Sequence, residues 1–146
     1  MTEPFPHRYA TDLAWEFDRR GWISAPPRKG ILGGPPPQFS CSRGSDDTWS
    51  PEHLLVASAN LCLMLTFLFI AEERRLAVAS YRSRAEGVLD RAPDGVRFVS
   101  ISIQVDLKVS EADRAKAETL LQRAKRRCLV ANSLKAPIGL TVVGKN

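Results

Sequence analysis

Alternation of apolar and polar residues is cleanest between Val96 and Val109. Val99, Ile101, Ile103, Val105, Leu107 and Val109 recur at every second position. A period of two places them on one face of a strand, with that face buried and the other wet. Ala77 to Leu89 reads as a preceding strand, and Asp90 to Gly95 as the turn between them. Nearer the start, Tyr9 to Phe17 predicts a strand with Leu13, Trp15 and Phe17 on one face. Asp18-Arg19-Arg20-Gly21 is a turn signal, after which Trp22 to Ala25 pairs back as a hairpin. Residues 26–37 are rich in Pro and Gly and read as a loop. Gln38 to Arg43 returns to alternation, with Phe39, Cys41 and Arg43 sharing a face, and Gly44 to Thr48 is a polar loop.

The periodicity then changes. Ser50 is a helix-capping residue, Pro51 suits a first helical position, and Glu52 favours the positive end of the helix dipole. The helix is expected to run to about Arg75. No charged residue occurs from Leu54 to Ala71. Such a length raises a transmembrane reading. Ser58, Asn60 and Thr66 interrupt it, however, and the flanking pattern is globular, so a buried central helix is the expectation. A chain this short struggles to wrap such a helix alone, which points to an oligomer. Further on, Ser110 with Asp113 reads as a capping-box variant before an amphipathic helix. That helix turns Ala117, Leu120, Leu121 and Ala124 inward and reaches Cys128. Asn132-Ser133 marks a break and a new short helix. Pro137 precedes a final strand, Ile138 to Val143. Strands and helices in this order define an α+β fold, and the absence of repeats or a long linker suggests a single domain over 1–146.

Composition narrows the function classes. The chain has 146 residues, ordinary hydrophobic and charged content and a net charge of +5. The basic residues are scattered among acids, without interleaved aromatics, so the charge reads as a basic surface and not as a nucleic-acid interface. No apolar signal segment opens the chain, and three cysteines are too few and too odd in number for a secreted disulfide framework. A cytosolic protein is expected, with no membrane partner.

The chemistry that remains is thiol chemistry. Cys62 lies in the uncharged helix and Cys128 at the end of the amphipathic one, where Lys125, Arg126 and Arg127 precede it and favour a thiolate. Either alone is more often a small buried hydrophobe. Cys41 shares a strand face with Arg43. There is no CxxC, no metal-ligand spacing and no phosphate loop. His53 is nine residues from Cys62, about half a turn round and roughly 13 Å along the helix, too far for a Cys-His pair. No role is assigned to His7. The apolar neighbours Leu61, Leu65 and Phe69 suit a substrate with a hydrophobic tail.

Ser50-Pro51-Glu52-His53-Leu54-Leu55, followed by Ala57, Ala59 and Cys62, resembles the first motif of the OsmC/Ohr family, the osmotically inducible and organic hydroperoxide resistance proteins. Cys128-Leu129-Val130-Ala131-Asn132-Ser133-Leu134 is similar to the second, and the order of elements matches over nearly the whole chain. The resemblance implies antiparallel sheets around a long buried central helix, in an intertwined homodimer. It implies a cysteine-based peroxidase acting on organic hydroperoxides. Cys62 is then the peroxidatic residue and Cys128 the resolving one, and a dithiol reductant (a lipoyl group or another thiol) restores both. It implies no metal or organic cofactor. It also implies an arginine held by Glu52 beside the Cys62 thiolate, and Arg43 stands near that place. Glu52 cannot serve Cys62 along its own helix, because ten residues span about 15 Å. Two positions depart from the family pattern: Leu129 replaces a proline and Ala131 a serine. Leucine permits the helix to run on through Cys128, which would hold that thiol away from Cys62. The competing reading is a non-catalytic binding protein of the same fold with structural cysteines.

Overall fold

A computed structural model of the chain describes residues 4–36, 38 and 47–144. They belong to two compact units, Met1–Leu54 and Leu55–Asn146.

The first unit is a three-stranded antiparallel sheet of order β1-β2-β3, with β1 at Asp12–Phe17, β2 at Arg20–Ser24 and β3 at Ile31–Gly33. The predicted hairpin forms, with Leu13 opposite Ile23 and Trp15 opposite Gly21. Its turn is tighter than expected, because Asp18 takes a left-handed conformation (φ 51°) and lets β2 begin at Arg20. β1 starts only at Asp12, opposite Ser24, the last residue of its partner. The stretch expected to be all loop contains β3. Its three residues pair with Gly21, Trp22 and Ile23, and sequence punctuated by Pro and Gly on both sides conceals so short a strand. Gly30, just before it, lies against the Trp22 indole, where a Cβ would come within 2.6 Å of the ring nitrogen. The Trp49 amide donates to the Leu32 carbonyl at 3.1 Å, and the Trp49 carbonyl accepts from Gly34 at 3.0 Å. These bonds deliver the chain to Ser50. The strand expected over Gln38–Arg43 lies, Gln38 aside, outside the described residues.

Helix α1, Pro51–Glu73, starts where the first unit ends. Its cap is the predicted one: the Ser50 hydroxyl accepts from the His53 amide at 3.1 Å. It stops two residues short of Arg75 because Arg75 turns left-handed (φ 52°). The Leu76 amide then donates back to the Ala71 carbonyl and the Arg75 amide to the Glu72 carbonyl, which closes the last turn.

In the second unit β4 (Ser80–Ala92) and β5 (Gly95–Lys108) form a long hairpin, and β6 (Ile138–Val143) joins β5 in parallel. The antiparallel expectation holds for the first sheet and for this hairpin. The parallel addition follows from the helical crossover between β5 and β6. The hairpin turn narrows to Pro93-Asp94, since Ala92 pairs with Gly95, whose φ of 120° only glycine adopts readily. Ser110 does not close a capping box. Its hydroxyl donates to the Asp113 carboxylate at 2.8 Å, and one 3-10 turn, Glu111–Asp113, precedes α2 at Arg114–Arg127. A single turn, α3, follows at Leu129–Asn132, before the Asn132-Ser133 break and not after it.

The core of this unit joins three elements. Ile101, Ile103, Val105 and Leu107 of β5 meet Leu63, Phe67 and Ile70 of α1 and Leu120, Leu121 and Ala124 of α2. Only one face of α1 is buried in this way. The opposite face, with Leu61, Leu65 and Phe69, is exposed, so the helix expected to be buried all round is covered on one side by its own chain. It is long and apolar enough to cross a membrane.

Candidate active site around Cys62

Cys62 sits on α1 and is half-buried; Cys128 is buried, with 2% of its surface exposed, and both are free thiols. α2 does not run through Cys128. Cys128 adopts an extended conformation (φ −67°, ψ 112°) and serves both as the end of α2 and as the residue before α3. Leucine at 129 therefore does not prolong the helix. Side chains hold the break in proline's absence: the Asn132 amide donates to the Arg126 carbonyl at 3.2 Å, and the Ser133 hydroxyl to the Leu129 carbonyl at 2.8 Å. Each satisfies a carbonyl left open near a helix end.

This break brings the second cysteine to the first. Cys128 lies beside Cys62, and each thiol shifts the acidity of the other. Burial pushes the Cys62 thiol up, but polar stabilisation from the backbone at Val130 and Leu129 and from the Cys128 thiol outweighs it and holds Cys62 below its ordinary value. Cys128 moves the other way. Burial is the largest cause, and the negative charge of the Cys62 thiolate adds to it, so Cys128 is held above its ordinary value. The run Lys125-Arg126-Arg127 does not make Cys128 a thiolate. The pair is thus unequal: Cys62 is the more acidic thiol and Cys128 the less acidic one.

Cys62 opens into an apolar cavity of about 460 Å³ lined by Ser58, Leu61, Leu65, Thr66, Phe69 and Leu129. Leu61, Leu65 and Phe69 were expected there from the sequence. Thr66 was overlooked, although its spacing of four from Cys62 places it on the same helix face; its hydroxyl also reaches the Cys62 carbonyl at 2.8 Å. The Leu129 and Val130 amides carry no residue signature that a sequence could reveal.

Glu52 belongs to the first unit. One carboxylate oxygen, Oε2, is buried and has no hydrogen-bond partner. Glu52 lines a cavity of about 710 Å³ whose walls include Trp15, Arg19, Arg20 and Trp49. Arg20 is 3.8 Å from Asp47 and lies over the Phe17 ring at 5.3 Å. The two arginines of the Asp18–Gly21 turn signal are the cations that line this cavity with Glu52 among the described residues. Arg43, the expected partner, lies outside the described residues, as does Cys41. His53 is engaged locally, with Nδ1 2.6 Å from the Ser50 hydroxyl.

The fold and the thiol pair define the class. Residues 44–143 match the family of OsmC-like proteins, and the chain belongs to that family. Peroxiredoxin OsmC of Escherichia coli (strain K12) is 26% identical over 127 residues, which cover 86% of this chain and 89% of that protein. An OsmC-like protein of unknown function from Vibrio cholerae shares the fold with a TM-score of 0.88 at 20% identity, over 94% of this chain and all of that one. The organic hydroperoxide resistance protein OhrB of Bacillus subtilis superposes with a TM-score of 0.68 at 16% identity, over 94% of this chain and 98% of its own. At family level the assignment is to peroxidases of the OsmC/Ohr type.

Proposed function

We propose that the chain is a thiol-dependent peroxidase that reduces organic hydroperoxides, with Cys62 as the attacking residue and Cys128 as the resolving one. The observation that carries this is the unequal pair, the more acidic thiol lining an apolar cavity and the less acidic one buried beside it. The Cys62 sulfur attacks the terminal oxygen of the hydroperoxide. An S–O bond forms, the O–O bond breaks, and the alkoxide leaves with the electron pair and takes a proton to become an alcohol. Cys62 is left as a sulfenic acid. The Cys128 sulfur then displaces hydroxide from it, a disulfide forms, and water departs. A dithiol reductant, such as a lipoyl group, returns both thiols by exchange. Leu61, Leu65 and Phe69 receive the organic tail. No cofactor enters any step.

Glu52 acts through an arginine that it holds. Arg43 is the candidate from the family pattern, and Arg19 and Arg20 line the Glu52 cavity. The chain works as one OsmC-like domain in a homodimer, where groups from two copies complete each site, and it acts in the cytoplasm.

Hydroperoxide consumption by wild type and Cys62→Ser tests the reading. Activity lost in the variant is expected; activity retained removes Cys62 from the mechanism, and no consumption by wild type favours the non-catalytic alternative. Intact mass after one equivalent of peroxide reports on Cys128. Loss of two hydrogens is expected, and a persistent gain of one oxygen would deny it the resolving role.

A further inference from the structure

We propose that Thr66 is a catalytic residue of this site, whose hydroxyl oxygen accepts the O–H of the hydroperoxide and holds the terminal oxygen at the Cys62 sulfur. The inference rests on Cys62 being the attacking residue.

α1 turns two parallel rows toward the cavity. Leu61, Leu65 and Phe69 recur every fourth residue and form an apolar row. Ser58, Cys62 and Thr66 recur at the same spacing beside it and form a polar one, with the sulfur between two hydroxyls. The hydrogens of both hydroxyls are already committed. Ser58 donates to the Leu55 carbonyl at 2.7 Å, and Thr66 to the Cys62 carbonyl at 2.8 Å. Each oxygen keeps acceptor capacity, so both meet a ligand as acceptors. The two are not equivalent. The Ser58 bond draws its oxygen toward Leu55, away from Cys62. The Thr66 bond keeps its oxygen within hydrogen-bond distance of an atom of Cys62 itself. Threonine is also stiff at χ1, and a bond back to the preceding turn selects one rotamer, which fixes where the oxygen stands.

A hydroperoxide supplies what such an acceptor needs. Its one O–H is on the terminal oxygen that the sulfur attacks. Attack runs along the extension of the O–O bond, so this O–H points aside from the sulfur and requires a partner of its own. Unpaired in an apolar cavity, it would cost the free energy of its lost water. Bound to Thr66 Oγ1, it orients the terminal oxygen for attack. The S–O bond then forms and the O–O bond breaks. The alkoxide leaves with the electron pair and takes a proton from water. The terminal oxygen keeps its hydrogen, which remains on Thr66 as the O–H of the sulfenic acid.

Two reagents separate this role from an effect on the sulfur. Cumene hydroperoxide carries the O–H; N-ethylmaleimide has no hydrogen-bond donor. Single-turnover oxidation of reduced protein by the first is followed by acid quench and intact mass. Alkylation by the second is followed on the peptide that contains Cys62. Thr66→Val keeps the branched shape and removes the acceptor. Oxidation by cumene hydroperoxide is expected to slow roughly threefold to tenfold, the scale of one neutral hydrogen bond, while maleimide alkylation keeps its wild-type rate. Thr66→Ala removes the acceptor without new bulk and is expected to slow oxidation alone in the same way. Thr66→Ser restores the hydroxyl and is expected to restore the oxidation rate.

Wild-type oxidation rates in Thr66→Val and Thr66→Ala overturn the proposal. Equal slowing with both reagents places Thr66 on the sulfur or its packing, and overturns it too. Wild type that is not oxidised by hydroperoxide ends the peroxidase reading and this proposal together. An active wild type with equally active variants ends only the proposal, so the two failures are distinguishable.

Discussion

Cys62 and the buried Cys128 beside it shift in opposite directions: Cys62 is held below its ordinary value, and Cys128 above it, chiefly by burial and further by its neighbour Cys62. A donor stabilises the charged form of its acceptor, and the resulting negative charge opposes ionisation of the donor itself. The proposed order of chemistry fits these directions: the more acidic thiol attacks, and the less acidic one waits until a sulfenic acid appears.

The pH dependence follows with a definite sign. Cys62 is held low, so its reactivity is present above its folded-state midpoint and is lost as pH falls through it. Cys128→Ala removes one donor from Cys62. The midpoint is expected to rise, and alkylation of Cys62 at neutral pH to slow by roughly threefold to tenfold, the scale of one hydrogen bond to a charged group. Stopped-flow alkylation across pH on both proteins checks this. Faster alkylation in Cys128→Ala would show that the thiol shields Cys62 and does not activate it.

Asn132 is expected to position the pair without touching it. Its side-chain amide ties α3 to the Arg126 carbonyl at the end of α2. Asn132→Ala opens that carbonyl and loosens the break at Cys128. A stability loss of about 1 kcal/mol is expected from the missing bond, together with slower disulfide formation after a single peroxide pulse. Asn132→Asp removes the donor without shortening the side chain, and it should be equally slow. Wild-type disulfide kinetics in both variants would show that the break holds without Asn132.

How far the sequence anticipates this architecture depends on whether a feature is local. The Val96–Val109 alternation locates the buried face of β5 because a period of two is a property of one strand. Ser50 and Pro51 mark the start of α1 because a cap is made from neighbouring residues. β3 escapes notice because three residues gain strand character only from their pairing with β2. The end of α1 escapes because it depends on a non-glycine residue, Arg75, turning left-handed. Cys62 and Cys128 are visible as motif members, but neither periodicity nor composition joins residues so far apart in the chain. The approach of Cys128 to Cys62 depends on the bend at Cys128, which no local pattern marks.

Gly87 is expected to resist any side chain. It lies within β4 opposite Ile101, and a Cβ there would approach Val56 Cγ2 to 2.6 Å and the Phe98 ring to 2.7 Å. Both neighbours are packed, so the cost is that of overfilling a core. Gly87→Ala should lower unfolding stability by about 1–3 kcal/mol. Urea denaturation measures it, and a neutral result would show that Phe98 yields at no cost.

The apolar surface left open predicts an assembly. β1 is an edge strand, and its Leu13 and Trp15 are 74% and 78% exposed. In the second unit, Leu65 and Phe69 on α1 are 54% and 59% exposed. Edge strands and apolar helix faces of this kind are costly in water unless another surface covers them. A homodimer satisfies the need, and sedimentation should return twice the chain mass. Leu13→Lys with Trp15→Lys places two charges on the strand edge, outside the Cys62 cavity. The double variant should sediment as a monomer with its circular dichroism retained. Peroxide turnover should fall with the dimer if the Glu52 side of the site is supplied by the partner subunit. A monomer of full activity would mean that one chain carries the complete site.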